Sequence, residues 1–401
     1  MLEFLKKEAN RTRTENGGAA YASTMSHCLD LFSTIGALRA APEGEIAGRF
    51  LQAWCEDRDL AVRIAFFARD IRGGLGERRT FRVILRSLAA LSPETVKKNL
   101  PNIPEYGRWD DLLCLLDTPC REDALALIAA QLKADMAALA QEGESVSLLG
   151  KWLPSVNASS QETVRAAKTV ARSLKMDDRT YRKTLAALRR RIAILENSLR
   201  EKDYTFDYEK QPSRAMLVYR AAFLRNDRER YEGYLEQVRA GKAGMHTAAL
   251  YPYDLVAAAL RDVTDPGERL AIDTAWNALP DYCNGERPLA VVDGSGSMYW
   301  SAQSPTPAAV ALSLGLYFAQ RNTGPFHGHY ITFSRRPQLV EVKGRDLFEQ
   351  VRFCRRYNEA ANTNVQAVFD LILDTAVKHR LPQSELPSAL FFISDMEFDR
   401  C

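Results

Sequence analysis

Two patterns of apolar and polar positions divide the chain. From Thr24 to about Leu279, apolar side chains recur every three or four residues in runs separated by Pro or Gly. This spacing predicts amphipathic helices, and a succession of them without long loops favours an α-solenoid or a related helical array. The predicted helices include Ile46–Cys55, Asp59–Ile71, Glu77–Leu91, Pro93–Lys98, Trp109–Leu116, Glu122–Ala140, Gln161–Lys175 and Asp178–Arg200.

After Asn284-Gly285 the pattern changes to short apolar runs that alternate with helical segments. The predicted strands are Leu289–Val292, Gly328–Phe333, Leu339–Val342 and Ala389–Ser394. The predicted helices are Ala308–Arg321, a segment near Asp346–Arg356 and Val365–Arg380. Alternation of this kind predicts a doubly wound, Rossmann-like and mainly parallel α/β sheet, which binds ligands at the carboxyl ends of its strands.

The sequence is therefore expected to be multidomain. Residues 1–22 are polar and are predicted to form a flexible N-terminal segment. Residues 23–283 are predicted to be all-α, and residues 284–401 are predicted to be the α/β domain.

The first predicted strand of this α/β domain opens into the loop Asp-Gly-Ser-Gly-Ser. Asp293, Ser295 and Ser297 place one carboxylate and two hydroxyls on alternate residues, and the glycines let the backbone turn sharply. Hard oxygen ligands of this kind suit Mg²⁺. The alternative is a Ser/Gly-rich turn with no ligand.

Two later positions add oxygen ligands to this set. Thr363 precedes a predicted helix, and Asp395 ends a predicted buried strand. Together with the Asp-x-Ser-x-Ser loop, this order resembles the metal-ion-dependent adhesion site of von Willebrand factor A domains. The resemblance implies that Asp293, Ser295, Ser297, Thr363 and Asp395 hold Mg²⁺, or another divalent cation such as Mn²⁺. It also implies that the metal keeps one position open for a partner's carboxylate, so the site serves recognition rather than turnover.

The composition places the protein in the soluble globular class. Hydrophobic residues make up 46% and charged residues 26%, and no run approaches the ~18 apolar residues of a membrane span. The start of the sequence has no apolar stretch long enough for a signal peptide. Seven cysteines stand singly without a CxxC pair, which is typical of reduced thiols in a cytoplasmic protein.

Positive charge is concentrated in one part of a nearly neutral chain. The net charge is only +3, yet residues 151–240 contain 20 Lys and Arg against 12 Asp and Glu. Within the predicted helix Asp178–Arg200, the apolar side chains share one face and the cations the opposite face. These cations are Arg179, Arg182, Lys183, Arg189 and Arg190. A solvated surface is one interpretation of this face, and a polyanion contact is the other, because acidic i, i+4 partners are missing.

Two loops of the helical region combine cations with aromatic residues. Arg108 precedes Trp109, and Lys151 precedes Trp152. Such pairs either stack on bases and pair with phosphates or join neighbouring helices. A third loop, Arg-Gly-Gly-Leu-Gly-Glu-Arg-Arg, lacks the Gly-Lys-Ser/Thr end of a P-loop, so an interhelical turn is favoured there.

Motifs spread over nearly the whole chain resemble a family related to the TROVE module of Ro ribonucleoproteins. They are RDIRGGLGERRTFR, IPEYGRWDDLL, KWLPSVNASS, YRKTLAALRRRIAILE, FDYEKQPSRAMLVYRAAFLRND and LAVVDGSGSM. TROVE proteins pair a HEAT-like helical array with a von Willebrand A domain and bind small or single-stranded RNA. The resemblance therefore implies an RNA-binding scaffold, with Arg179, Arg182, Lys183, Arg189, Arg190, Lys151, Trp152 and Arg108 as RNA contacts.

The resemblance departs from a complete von Willebrand A domain after the strand that ends in Asp395. A full sheet of this type has two further strands, so the run Ala389–Ile393 is expected to be an exposed apolar edge that a partner or second chain completes.

Three functions are considered for this sequence: an RNA-binding scaffold, a protein-interaction module that captures an acidic residue without RNA, and an enzyme. The sequence favours a non-catalytic protein, because it shows no Ser/His/Asp or Cys/His set.

Overall fold

The computed structural model describes residues 1, 10–13, 19–141, 144–192, 194–261, 263–283, 285–299, 305–357 and 363–395 of the chain. The chain forms two compact units. The helical unit is Ser23–Asp203, and the sheet unit is Tyr204–Cys401 together with Met1–Ala22. Each unit has its own apolar core.

The helical unit consists of helices that bury one apolar face. They are α1 (His27–Thr34), α2 (Glu43–Glu56), α3 (Arg58–Arg69), α4 (Arg78–Leu91), α5 (Pro93–Asn99), α6 (Asn102–Tyr106), α7 (Arg121–Leu139), α8 (Leu149–Trp152), α9 (Gln161–Ser173), α10 (Asp178–Arg191) and α11 (Leu195–Glu201). In α4, the buried side chains Phe81, Leu85 and Leu88 show the spacing of one helix face. Burying each such side chain stabilises the unit by about 1.5–3 kcal/mol.

The structure differs from the predicted helices at two places. The prediction of one helix over Asp178–Arg200 is wrong, since α10 ends at Arg191 and α11 begins at Leu195. The Arg191 guanidinium donates hydrogen bonds to the backbone carbonyls of Gln141 and Glu144, so tertiary contacts hold this helix end. Residues Trp109–Leu115 form a 3₁₀ helix rather than an α-helix. The periodicity of apolar residues predicts neither the residue at which a helix ends nor whether a short helix is α or 3₁₀.

The sheet unit contains a short antiparallel pair of strands, then four helices, and then a mixed sheet with its own helices. Its elements are β1 (Arg11–Arg13), β2 (Ala19–Tyr21), α12 (Ser213–Asn226), α13 (Arg228–Arg239), α14 (Pro252–Ala259), α15 (Pro266–Asn277), β3 (Pro288–Asp293), α16 (Pro307–Arg321), β4 (His329–Phe333), β5 (Leu339–Glu341), α17 (Leu347–Cys354), α18 (Val365–His379) and β6 (Ala389–Ile393). The described strands β3 to β6 form one sheet in the order β5-β4-β3-β6. Strand β3 pairs in parallel with β4 and β6, and β4 pairs antiparallel with β5. A helix-rich chain with a C-terminal sheet is thus confirmed.

Helices cover both faces of the central strand β3, all of whose residues are buried. Ala290 and Val292 pack in a core with α16, whereas Leu289 and Val291 on the opposite face pack with Val368 of α18. Because successive side chains of a strand point to opposite faces, this alternation explains a strand with no polar residue before Asp293.

Helices α14 and α15 share the core of α16. Leu255, Ile272 and Trp276 belong to the same apolar cluster as Leu312 and Leu316. The compact units therefore divide at residue 203, whereas the composition of the sequence changes near residue 284. Helical periodicity does not indicate which domain a helix packs against.

Two terminal regions bear on the predictions. Residues 1–22, predicted to be flexible, include the antiparallel pair β1 and β2, in which Arg11 lies opposite Tyr21. At the other end, β6 lies at the edge of the described sheet and Phe391 is more than a third exposed. None of the described helices combines the length and the apolar character needed to cross a bilayer.

Candidate metal centre and basic surface

The carboxyl ends of β3 and β6 lie side by side. In the parallel register, Val292 of β3 is opposite Ile393 of β6, so the next residues, Asp293 and Ser394, are neighbours. Asp395 follows directly. Parallel pairing thus brings together side chains that are about a hundred residues apart in sequence.

The Asp293 carboxylate is buried, with only 2% of the residue exposed. Its Oδ1 accepts a hydrogen bond from the backbone N–H of Ser295 at 2.8 Å. Its Oδ2 accepts from the Ser394 hydroxyl at 2.6 Å. No Lys, Arg or His nitrogen of the described residues forms an ion pair with it. Within the described part of the chain, the negative charge is therefore held by neutral donors.

Hydroxyls flank this carboxylate. The Oγ atoms of Ser295 and Ser297 lie 3.1 Å apart, and Ser297 is exposed. The Ser394 hydroxyl also lies 3.5 Å from Asp395 Oδ1, so described contacts connect four of the five residues predicted to bind metal. The fifth, Thr363, is buried next to Asn364, the N-cap of α18.

The donor set is all oxygen, which fits a hard cation such as Mg²⁺. No group of three or more His, Cys, Asp and Glu residues able to hold a metal occurs among the described residues. A metal site at the ends of β3 and β6 would therefore need hydroxyl oxygens as ligands in addition to carboxylates. The sequence interpretation missed Ser394, although a hydroxyl residue directly before the strand-end Asp395 was visible in the sequence.

The basic face of α10 is partly open and partly engaged. Four predicted cations are exposed and have no carboxylate within 4.0 Å among the described residues. They are Arg179, Arg182, Lys183 and Arg190. Residues 151–203 contain 13 Lys and Arg against 6 Asp and Glu, so the positive excess lies largely within the helical unit.

Arg189 does not belong to this open surface, and its assignment as an exposed RNA contact is corrected. Its guanidinium donates to the carbonyl oxygens of Gly150 and Leu153 and to Ser155 Oγ, all at 2.9 Å. Burial lowers the pKa of Arg189. The side chain therefore holds the loop that follows α8 against α10.

The predicted cation–aromatic pairs form one stack. The Arg108 guanidinium lies over the Trp152 ring at 4.2 Å, and Lys151 Nζ lies 5.6 Å from the same ring. Since Arg108 covers one face of the ring, that face is closed to a base. The stack joins Arg108, the N-cap of the 3₁₀ helix Trp109–Leu115, to the end of α8 and keeps two cations beside each other.

A buried ion network lies next to this stack. Asp111 accepts from Arg69 Nε and from Arg82 Nε, each at 2.7 Å, and Arg82 also binds Asp110 at 2.8 Å. Arg69 and Asp111 are almost fully buried. A Cβ on Gly107 would lie 2.5 Å from Asp111 Oδ2 and 2.9 Å from Arg69 Nε, so only glycine lets this pair form.

Comparison with known proteins gives a consistent family match. The sequence matches the domain of unknown function DUF2828 over residues 14–125 and 122–282, and the domain of unknown function DUF7788 over residues 287–401. It is 30% identical over 435 residues to the uncharacterized protein L728 of Acanthamoeba polyphaga mimivirus, covering 98% of this chain and 74% of the viral protein.

These matches correct one sequence-based interpretation. Assignment to a family related to the TROVE module, with a von Willebrand A domain, is wrong, because the matching families are DUF2828 and DUF7788. The quoted motifs combine helical periodicity with a short loop, and unrelated helical proteins share such features. Any function must therefore be argued from the residues of this chain.

Proposed function

Since the chain belongs to the DUF2828 family, we propose a function from the physical chemistry of its own surface and buried groups. The protein is a non-catalytic scaffold that binds RNA through its helical unit and a protein partner through a divalent cation in its sheet unit. The observation that carries the RNA proposal is the set of exposed cations on one face of α10 that have no ion pair with the described residues.

RNA is the ligand class that fits this face. Four like charges on one helix face repel one another, and each would gain from a phosphate contact that releases counterions. Arg182 and Lys183 belong to the first half of α10, and Arg190 is in its last turn. A strand of nucleic acid following the helix would meet cations over its whole length. Single-stranded or small structured RNA is the proposed ligand.

The test is RNA affinity as a function of salt. Replacing Arg182, Lys183 and Arg190 by Gln removes three charges from the face. The control replaces Arg63, Lys98 and Lys133, which are exposed cations elsewhere in the same unit. For single-stranded RNA the slope of log K against log salt should fall by about two in the first variant only. Equal affinity of the parent and the first variant would refute an RNA role for α10.

We propose Mg²⁺, or Mn²⁺, as the cofactor of the sheet unit. Asp293, Ser295, Ser297, Thr363 and Asp395 would hold it, and Ser394 would orient Asp293. The support is a buried carboxylate that has hydroxyl and amide donors but no cationic partner among the residues that the structure describes. A bound divalent cation supplies the missing positive charge and attracts a carboxylate from another protein.

A second candidate function is a protein-interaction module that works without RNA, and the Asp293 network favours it specifically. The proposed ligand is an Asp or Glu of a partner protein. Pull-downs with the parent and with Asp293→Ala, each in Mg²⁺ and in chelator, test the metal-dependent arm. Partners retained by Asp293→Ala in Mg²⁺ would count against capture through the metal. RNA binding that survives in Asp293→Ala would show that the two activities are separate.

Finer structural descriptions are proposed on the same basis. We propose that the helical unit is a HEAT-like array and that the sheet unit is a doubly wound, Rossmann-like domain, with helices on both faces of β3 in support. A partner or second chain is proposed to pair with β6. A cytoplasmic location is proposed because the six described cysteines are free thiols.

A further inference from the structure

Three cations at the stacked pair Arg108 and Trp152 have no carboxylate within ion-pair distance among the described residues. The guanidinium of Arg108 and the Nζ of Lys151 form no hydrogen bond or ion pair with the described residues. Arg78 is exposed and likewise unpaired. It lies one helical turn before Arg82, whose side chain binds Asp110 and Asp111, two and three residues after Arg108. Residues four apart share a helix face, so Arg78 lies on the side of α4 that faces Arg108.

The surroundings add positive potential at this point. Arg78 and Arg79 begin α4, and the first turn of that helix contains no acidic residue. The N-cap of that helix is Glu77, whose buried carboxylate forms an ion pair with Arg39, so Arg78 and Arg79 add positive charge next to a carboxylate that already has a cationic partner. Burial lowers the pKa of Arg108, and Arg69 and Arg78 lower it further, although Asp110 and Asp111 act in the opposite direction.

A buried donor in the same cluster has no acceptor. Arg69 is 1% exposed, and its Nη2 has no hydrogen-bond partner among the described residues. An unpaired buried guanidinium N–H is costly, and such groups in folded proteins usually have an acceptor from water or a ligand. The Arg69–Asp111 pair uses only the Nε side of this guanidinium.

We infer that the amino end of α4 and the Arg108–Trp152 stack together form a recognition site for a phosphate group, supplied by the terminal phosphate of a bound RNA. The inference rests on the RNA-binding function proposed above. Stacking on Trp152 fixes the plane of the Arg108 guanidinium and leaves its in-plane N–H groups for two phosphate oxygens. Arg78 and Lys151 supply further charge. The Gly-rich loop before α4 lacks the lysine of a P-loop and does not follow a strand. Recognition of the RNA end therefore depends on the cations and on the backbone of the loops that present them.

The test compares two RNA oligonucleotides of one sequence, with a 5′-phosphate and with a 5′-hydroxyl. The parent should prefer the phosphorylated end by about tenfold. The double variant Arg78→Gln/Arg108→Gln should bind both ends equally, whereas the double variant Arg63→Gln/Lys98→Gln should keep the preference. Arg108→Lys, which keeps the charge but loses the planar fork, should retain only part of it. A preference that persists in Arg78→Gln/Arg108→Gln overturns the site.

A second experiment uses inorganic phosphate as the ligand and does not depend on RNA binding. At equal ionic strength, phosphate should raise the melting temperature of the parent above that in chloride, and this rise should vanish in Arg78→Gln/Arg108→Gln. If RNA does not bind but this difference remains, the proposed function fails and the phosphate site stands. If RNA binds without end preference and phosphate acts no differently from chloride, the site fails and the proposed function stands.

Discussion

Two buried carboxylates, one in each unit, have opposite surroundings. Asp111 in the helical unit is fully buried between the guanidinium groups of Arg69 and Arg82. Asp293 in the sheet unit is nearly as buried, but its described partners are the Ser394 hydroxyl and the Ser295 amide. The same chemical group is thus neutralised by cations in one place and held by neutral donors in the other.

The presence or absence of a cationic partner distinguishes a carboxylate with a structural role, Asp111, from one proposed to bind a ligand, Asp293. Burying a charge is costly unless an opposite charge compensates it. Asp111 meets this requirement within the protein, so its network joins α3 and α4 to the 3₁₀ segment Trp109–Leu115. Asp293 does not meet it among the described residues, and a cation from solution would. The first three predictions change one of these carboxylates or a partner of it, and the last changes a third buried carboxylate.

The largest expected effect is on Asp111. Asp111→Asn leaves the buried Arg69 guanidinium without its anion and leaves Arg82 with Asp110 alone, so the free energy of unfolding should fall by about 3–5 kcal/mol. Urea denaturation followed by circular dichroism measures it. Glu105→Gln, which breaks the exposed pair with Arg72, should change stability little. A mild effect of Asp111→Asn would mean that the network contributes little.

The second prediction concerns Asp293. Asp293→Asn removes a buried charge, its amide oxygen still accepts from the Ser295 N–H, and its NH2 group can donate to the Ser394 hydroxyl oxygen. In chelator the variant should therefore be at least as stable as the parent. In Mg²⁺ at a hundred times its Kd, the parent should gain about 2.7 kcal/mol and the variant nothing. Thermal melts in Mg²⁺ and in chelator measure both effects, with the exposed Asp370→Asn as the control. A Mg²⁺ gain retained by Asp293→Asn would contradict the metal site.

The third prediction tests Ser394 as a positioning residue. Ser394→Ala removes the 2.6 Å hydrogen bond to the Asp293 carboxylate and should cost about 1.5–3 kcal/mol of stability, the range for hydrogen bonds to charged groups. Affinity for Mn²⁺ should fall by about tenfold, because groups that orient a metal ligand affect metal binding. Calorimetric titration measures this affinity, and Ser394→Thr should restore it. Loss of stability with unchanged Mn²⁺ affinity would leave Ser394 a purely structural role.

The smallest effect is expected at a third buried carboxylate, Asp273. It accepts a hydrogen bond from the backbone N–H of Leu347 at 2.9 Å, and burial raises its pKa above the usual 3.8. The folded protein therefore binds more protons than the unfolded chain as pH rises from 3.8 to the folded pKa, so stability falls across that window.

Asp273→Asn cannot ionise and keeps an acceptor for Leu347. It should be slightly more stable than the parent at pH 7, with the difference vanishing below about pH 4. Melting temperatures of both proteins across this pH range provide the measurement. A variant that is less stable than the parent at pH 7 would show that the ionised carboxylate contributes favourably.

Much of the architecture was readable from local pattern. The helices of the first part, the strands Pro288–Asp293 and Ala389–Ile393, and the loop from Asp293 to Ser297 follow from periodicity, glycine and polarity, because these are properties of neighbouring residues. The family could not be inferred in the same way, since helical motifs are shared by unrelated folds.

Tertiary structure decided which of the candidate residues meet. Ser394 reaches Asp293 only because β3 and β6 pair in parallel, and Arg189 leaves the basic face because loop carbonyls lie within its reach. Helices α14 and α15 join the sheet unit because their apolar faces pack with α16. The amino-acid sequence determined whether each segment forms a helix or a strand, and which polar side chains stand at its ends. Pairing register and packing determined the neighbours, because contacts between distant segments depend on geometry that has no local period.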